Sequence, residues 1–487
     1  MHPRPPVVTI LGHVDHGKTT LLDSIRKSRL AEKEHGGITQ RIGGYEIETN
    51  IKGYHTNKIT FIDTPGHEAF SLLRARGTTV ADIVILIIDA KDSIMPQTAE
   101  SITHIKTANI PFIVTINKID LPEANPEKVK RDLLKYQIQV EGKGGGVPTA
   151  EISAKTGKGI RELLETILLM ASDLNLRYSE SAVAHATIIE TKKDKRGIVV
   201  SAVIKDGKLS VGDEIESEGK TAKVRSLFDD QGIPVKYVLP AKPFELLGFS
   251  ELPQVGSLIM HRSDFKRKPA VEKTPPQTVP SQALTMEAIL HPKKEEKKLS
   301  LIIKADSQGS LEAINNSLMG NQDIKIILTG VGDIYKSDVF LAKTTQSIII
   351  GFAVNTPEEV KQLAKQEKII IKTYNIIYHL LEELNEVASL LTEKKQQEKN
   401  LKGEAKVLAS FIIEGERVFG VKVLKGKLNL GDQLELHRSS KMIGKTKLVS
   451  LKIRAKRVNE VKKDQEAGMI LGPPLDIIVG DVLKSIL

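Results

Sequence analysis

From Val7 to about Leu176 the chain alternates apolar runs of strand length with segments whose apolar positions recur at helical spacing. Val7-Val8-Thr9-Ile10-Leu11, Ile83-Val84-Ile85-Leu86-Ile87-Ile88 and Phe112-Ile113-Val114-Thr115-Ile116 are nearly continuous in apolar character, as strands buried on both faces are. Such strands separated by amphipathic helices predict a doubly wound parallel sheet, with its ligand at the carboxyl ends of the strands. From about Val183 the pattern changes to short alternating strands with glycine turns: Ala186 to Glu190, Gly197 to Val203, then Gly207-Lys208-Leu209-Ser210-Val211-Gly212-Asp213. That is the pattern of a small β-barrel.

The same lettering returns near the other end. Gly426-Lys427-Leu428-Asn429-Leu430-Gly431-Asp432 repeats the turn, and Val418 to Leu424 precedes it as Gly197 to Val203 precedes the first copy, which predicts two related barrels. Between them Lys266 to Lys298 is rich in Pro, Lys and Glu and reads as a linker. Leu299 to Ala305, Ile324 to Leu328 and Ser347 to Phe352 read as strands and Ser310 to Met319 as a helix, a second, smaller α/β unit whose Gly309 and Gly330 read as turns. Ile376, Ile377, Leu380, Leu381, Leu384, Val387, Ala388 and Leu391 then recur at helical spacing, with the polar stretch Glu393 to Lys402 continuing as a stiff spacer. The expected fold class is multidomain α/β plus β: an α/β nucleotide domain over 1–176, a first β-barrel over 183–265, a linker over 266–298, a small α/β domain over 299–375, a linker helix over 376–402 and a second β-barrel over 403–487.

Chemistry enters at the end of the first strand. Gly12-His13-Val14-Asp15-His16-Gly17-Lys18-Thr19 lies between that strand and the helix-like Thr20 to Ile25, the strand, glycine loop, helix order of a P-loop that binds a triphosphate. Gly12 and Gly17 let backbone N–H groups turn toward phosphate oxygens, Lys18 reaches the outer phosphates, and the Thr19 hydroxyl suits Mg²⁺. Asn117-Lys118-Ile119-Asp120 closes the Phe112–Ile116 strand. The Asp120 carboxylate can accept two hydrogen bonds from the N1–H and N2–H₂ edge of guanine, a donor pair adenine lacks, so GTP and GDP are favoured over the adenine nucleotides. Ser153-Ala154-Lys155, after the strand-like Ala150 to Ile152, completes the base pocket through backbone amides.

Ile59 to Ile62 leads into Asp63-Thr64-Pro65-Gly66-His67. Asp63 suits an outer-shell Mg²⁺ contact, the Gly66 N–H suits the γ-phosphate, and His67 stands where a residue that orients the attacking water belongs. Arg29 to Tyr45 is polar with Gly36-Gly37-Ile38-Thr39 at its centre; a Thr39 hydroxyl that closes onto Mg²⁺ only in the presence of the γ-phosphate makes the site a switch.

Composition narrows the class. A chain of 487 residues suggests about three to four domains. The chain has no cysteine, which excludes disulfides and thiolate metal sites. Apolar runs stop far short of a membrane span, and Met1 to Pro6 lacks the apolar core of a signal peptide, so a cytoplasmic monomer is expected with no membrane partner. Net charge is +10, and from Gly403 to Leu487 16 Lys and Arg outnumber 10 Asp and Glu. Lys445, Lys447, Lys452, Arg454, Lys456, Arg457, Lys462 and Lys463 concentrate that excess, which suits a nucleic-acid phosphate backbone; scarce aromatics argue against base stacking.

Together Gly12 to Thr19, Gly36-Gly37-Ile38-Thr39-Gln40-Arg41-Ile42-Gly43, Asp63 to Phe70, Arg74-Ala75-Arg76-Gly77, Met95-Pro96-Gln97-Thr98 and Asn117 to Asp120 resemble the bacterial translation initiation factor 2 family of translational GTPases. The resemblance covers essentially the whole chain and is most specific in the GTPase domain. It implies binding of formylmethionyl initiator tRNA by the C-terminal barrel, docking on the small ribosomal subunit and its rRNA, joining of the large subunit, and ribosome-stimulated hydrolysis of GTP. It also implies that His67 is the catalytic histidine and that Val14 and Ile38 flank it as an apolar gate. The family usually carries an N-terminal extension, whereas this chain starts almost at the first strand, and it commonly has cysteines where Val421 and Ala467 stand here. An elongation-type tRNA carrier, or a GTP-gated RNA-binding module with incidental hydrolysis, are the alternatives.

Overall fold

The Val7–Leu11 run forms β1, with all five residues buried, inside a six-stranded sheet of the computed structural model. Its neighbours are β2 (Gly43–Glu48), β3 (Lys58–Asp63), β4 (Ile83–Asp89), β5 (Phe112–Asn117) and β6 (Thr149–Glu151), in the order β2-β3-β1-β4-β5-β6. The structure describes residues 1–26, 39–40, 42–66, 68–262, 298–413, 415–439, 441–454, 456–473 and 475–486. The expected linker over 266–298, apart from its last residue, and Gly36, Gly37, Ile38 and His67 lie outside them.

Successive residues of β4 face opposite ways. Ile83, Ile85 and Ile87 join one core with Leu21 and Leu22 of α1 (Lys18–Arg26) and Leu163 and Ile167 of α5 (Ile160–Asp173). Val84, Leu86 and Ile88 join another with Ile102 and Ile105 of α3 (Pro96–Ala108) and Val129 and Leu133 of α4 (Pro126–Leu133). Two buried faces explain the unbroken apolar run, each such side chain contributing roughly 1.5–3 kcal/mol. The sheet departs from all-parallel at one edge: β2 begins inside the segment read from sequence as a polar loop and pairs antiparallel with β3, Gly43 opposite Asp63. An edge strand with one paired side tolerates the half-polar Gly-Gly-Tyr-Glu-Ile-Glu sequence.

Beyond it, His185–Asp194 and Gly197–Asp206 form a hairpin in an eight-stranded sheet that curls around one core including Ile188, Val200, Ile204, Leu209, Ile215, Leu227 and Leu246. Ile189 and Val203 face outward onto Val7, Ile42, Ile62 and Val80, so the barrel packs directly on the first sheet. The small α/β part has four parallel strands, β7 (Leu299–Ala305), β8 (Ile324–Val331), β9 (Ile348–Phe352) and β10 (Ile371–Tyr374), ordered β8-β7-β9-β10. Its helices are α6 (Gln308–Leu318), α7 (Lys336–Thr345) and α8 (Glu358–Gln366), and Gly309 falls in the first turn of α6 while Gly330 lies within β8. The last helix, α9, runs from Ile377 to Asn400, so the polar continuation is helical.

The chain divides into two compact units, Met1–Glu383 and Leu384–Leu487. In the second, six strands (401–413, 482–486, 433–438, 441–453, 466–472 and 416–429) close on themselves around Val407, Val421, Leu436, Leu451 and Leu483. The repeated lettering has repeated geometry. In one copy Asp213 accepts from the Ser210 N–H at 2.7 Å and Gly212 N donates to Val224 O at 2.8 Å; in the other Asp432 accepts from the Asn429 N–H at 2.9 Å and Gly431 N donates to Leu448 O at 2.9 Å.

Candidate nucleotide site

All the strand ends that carry motifs open on one edge of the first sheet, because β1, β3, β4, β5 and β6 run parallel. Between β1 and α1 the loop turns at Gly17, which has φ +90° and whose Cβ, if present, would lie 2.5 Å from the Asn117 amide nitrogen. Only glycine fits there. Asn117 is 1% exposed at the end of β5. It donates through Nδ2 to His16 O at 2.8 Å and accepts at Oδ1 from the Ala154 N–H at 2.9 Å. One primary amide thus fastens the Gly12–Thr19 loop to the Ser153–Lys155 loop.

His13, Val14 and Asp15 line that loop, with the Val14 N–H held by Gln97 Oε1 at 3.2 Å. The His16 side chain turns inward, its Nδ1 3.4 Å from Ile87 O, and burial pushes its pKa down to about 4, so it is a neutral packing group whose backbone alone belongs to the loop. Lys18 is 4% exposed and donates to Gly12 O at 3.1 Å and His13 O at 2.6 Å. Burial brings its pKa down to about 8, with the Asp63 carboxylate acting against that shift. Gly66 lies against this amine: a Cβ would meet Lys18 Nζ at 2.3 Å and Val14 Cα at 2.9 Å, which puts the Asp63–Gly66 turn directly over the phosphate loop.

Thr19, Thr39 and Asp63 converge from three separate segments. Thr19 Oγ1 is 2.8 Å from Thr39 Oγ1, and Thr39 Oγ1 donates to Asp63 Oδ2 at 3.3 Å. Three oxygen donors at one point form a hard-ligand set. At the base end, Lys118 adopts φ +62° and pairs with Asp89 Oδ2 at 2.7 Å. A hydrogen bond from Ser153 is the main influence holding the exposed Asp120 carboxyl below its ordinary value. The Ser153 N–H goes to Lys158 O and the Ala154 N–H to Asn117, so these two amides build the loop, and among the described residues Lys155 has the one amide of the three without an internal bond.

Two residues matter more than their sequence positions suggested. Arg74 of α2 (Ser71–Val80) is fully buried, donates to Pro65 O at 3.1 Å and makes a fork of two 2.8 Å bonds to Glu100. Desolvation opposes ionisation of Glu100, but hydrogen bonds from His104, Ser71 and Arg74 outweigh it and bring its pKa down to about 2. Gln97 and Arg74 thereby brace the loops at Val14 and Pro65. Both stood in the quoted motifs, yet nothing in the spacing showed what they touch.

The Elongation factor Tu GTP binding domain family matches residues 4–173, the Elongation factor G domain 2 family residues 183–261, and the Translation-initiation factor 2 family residues 277–385. A Translation initiation factor IF-2 of Thermotoga sp. (strain RQ2) is 42% identical, covering 99% of this chain and 71% of its own length. That of Bartonella tribocorum is 41% identical, covering 100% of this chain and 59% of its own length. A solved structure, GDP-bound aIF5B from Aeropyrum pernix, is 26% identical and covers 99% of this chain and 92% of that one with a TM-score of 0.47. Among the described residues no helix is long and apolar enough to cross a membrane.

Proposed function

The chain belongs to the translation initiation factor IF-2 family, and from that premise we propose that it carries formylmethionyl initiator tRNA on the small ribosomal subunit, promotes joining of the large subunit, and hydrolyses Mg²⁺-bound GTP when the ribosome activates it. Guanine-nucleotide binding and a translation initiation GTPase activity follow from the family itself. The observation that carries the finer reading of the site is the meeting of Thr19, Thr39 and Asp63 beside Lys18 and Gly66. Hydroxyl and carboxylate oxygens suit Mg²⁺, which when bound neutralises charge on the β- and γ-phosphate oxygens. Thr19 and Thr39 would hold the ion directly, and Asp63 would support it from the outer shell.

Lys18 exchanges its bonds to Gly12 O and His13 O for phosphate oxygens, and the anionic partner raises its pKa so that it stays charged. Backbone amides of Gly12 to Thr19 surround the phosphates, and the Gly66 N–H meets the γ-phosphate. Asp120 reads the guanine edge, with Asn117, Lys118, Ser153, Ala154 and Lys155 shaping its slot. As the family resemblance implies, His67 is assigned the attacking water and Val14 and Ile38 the apolar gate. Positioning and charge stabilisation of this kind supply most of the acceleration in phosphoryl transfer, and a partner group is worth about 10³–10⁵-fold.

The tRNA arm of the reading is supported by the last barrel. A cavity of about 790 Å³ opens there beside Phe411, Val421, Arg454 and Ala467, and Val421 and Ala467 are cross-strand partners. Its apolar wall suits a methionyl side chain. Lys445, Lys447, Lys452, Arg454, Lys456, Arg457, Lys462 and Lys463 are all exposed, Lys445 paired with Glu435 and Lys462 with Glu460, a cationic surface that suits phosphates. A filter-binding competition between initiator and elongator tRNA tests this: preferential retention of the initiator is expected, and equal retention overturns it. Single-turnover phosphate release with and without ribosomes separates a stimulated hydrolase from a GTP-gated RNA-binding module.

A further inference from the structure

Gln40 follows directly on Thr39, whose hydroxyl stands 2.8 Å from Thr19 Oγ1 at the candidate metal position. Its own side chain reaches elsewhere. Nε2 donates to Asn375 O at 2.9 Å and Oε1 accepts from Ile377 N at 3.0 Å, so both ends of one amide are committed to the backbone where α9 begins. The first four N–H groups of a helix have no partner within it, and Ile377, the first residue of α9, is fully buried, so water is a poor substitute for Gln40 as its acceptor. The next residue, Tyr378, lies close enough to the phosphate-loop Asp15 that this carboxylate adds to burial in raising the phenol pKa. The nucleotide loops therefore meet the opening turn of α9 through the two bonds of Gln40, with the Asp15 charge in the neighbourhood of the next residue. No step in binding or hydrolysis needs Gln40 there.

We propose that Gln40 is a positioning residue that couples the Thr39 hydroxyl to the first turn of α9, so that closing of Thr39 on the metal–triphosphate sets the capping bond to Ile377. The proposal rests on the reading of Thr39 as a nucleotide-dependent Mg²⁺ ligand. Cα atoms of adjacent residues stand about 3.8 Å apart, so withdrawal of Thr39 carries Gln40 with it. A hydrogen bond weakens steeply once its donor–acceptor distance grows by about 0.5 Å, and two bonds on a single amide are lost together. α9 continues for 24 residues and hands on to the barrel strand at Leu401, so a capping bond at its start is a local event at the head of a long element.

Hydrogen exchange of the full chain tests this with a non-hydrolysable GTP analogue and with GDP. Amides of Ile377 to Leu381 should exchange about three- to tenfold more slowly with the triphosphate in the unmodified chain, the range for one to two modest hydrogen bonds. Gln40→Met, which keeps the volume and removes both bonds, should abolish that difference while analogue affinity stays within about twofold. Gln40→Glu, which keeps an acceptor for Ile377 but sets an oxygen against Asn375 O, should restore part of it. Retention of the nucleotide-dependent difference by Gln40→Met, or its absence in the unmodified chain with nucleotide bound, overturns the coupling alone. No analogue binding by the unmodified chain overturns the nucleotide site as well.

Discussion

Asn117→Ala removes a side chain that joins the two loops of the candidate nucleotide site. Its amide donates to His16 O at 2.8 Å and accepts from Ala154 N at 2.9 Å, and at 1% exposure the site gives water little access to either group. Each buried backbone group left unpaired costs about 1–3 kcal/mol, so two unmade bonds set a nominal loss of about 2–6 kcal/mol. Ligand-side water can relieve part of this, which favours the lower half, about 2–4 kcal/mol. At 1.4 kcal/mol per tenfold that is roughly 30- to 1,000-fold in affinity if the strain falls on the bound state. Calorimetric titration with GDP and GTP at fixed Mg²⁺, paired with urea denaturation, separates affinity from folding. Asn117→Asp supplies a second reading: it keeps the acceptor for Ala154 but loses the donor to His16 O and adds a negative charge near the phosphates, so it should bind at least as poorly. Asn117→Ala binding within threefold of the unmodified chain, with unaltered stability, would show that these two bonds do not support nucleotide binding.

His67→Ala should abolish ribosome-stimulated phosphate release while leaving GTP affinity intact; loss of both contradicts a role confined to the attacking water. Arg74→Met should destabilise the protein by about 3 kcal/mol, since breaking a buried ion pair typically costs about 3–5 kcal/mol and Glu100 is partly solvated. An unchanged urea midpoint for that variant would count against Arg74 as a brace of Pro65. Glu190 accepts from Thr191 N at 2.9 Å, Gly309 N at 3.2 Å and Ser307 Oγ at 3.0 Å, yet burial wins and pushes its pKa up to about 7. A raised carboxyl pKa means the folded state holds the extra proton, so this contribution to stability is complete below about pH 4.5 and is lost as pH rises through about 7, a change of about 3 kcal/mol. Urea midpoints of Glu190→Gln against the unmodified chain should converge at low pH and separate above neutrality, with the variant the more stable; parallel profiles would show that Glu190 ionises as it does in the unfolded chain.

Much of the candidate site could be read from the sequence because its motifs are contiguous. Gly12 to Thr19, Asp63 to Gly66 and Asn117 to Asp120 each pack a strand end, a turn and its polar groups into a few residues, and sheet geometry brings such ends to one edge whenever the strands run parallel. The barrels were equally accessible, since a turn needing glycine at left-handed φ and an aspartate bonding back to its own turn repeats as letters: Gly207 at φ +73° and Gly426 at φ +60°, Asp213 and Asp432. The Gly43–Glu48 strand was hidden because an edge strand paired on one side carries no strong apolar signal.

What the order of residues determined by itself is the set of local devices: the glycine loop after the first strand, the Asn117-Lys118-Ile119-Asp120 turn, the acidic strand end, the twin hairpin turns. Which distant groups hold those devices in place was decided only in three dimensions. Arg74 meets Glu100 and Pro65, Asn117 meets His16 across 101 residues of chain, Gln40 meets Ile377 across 337, and Glu190 meets Ser307 and Gly309. A local motif is fixed by backbone conformation over a few residues, whereas a long-range bond depends on which helix faces the packing of whole sheets brings together.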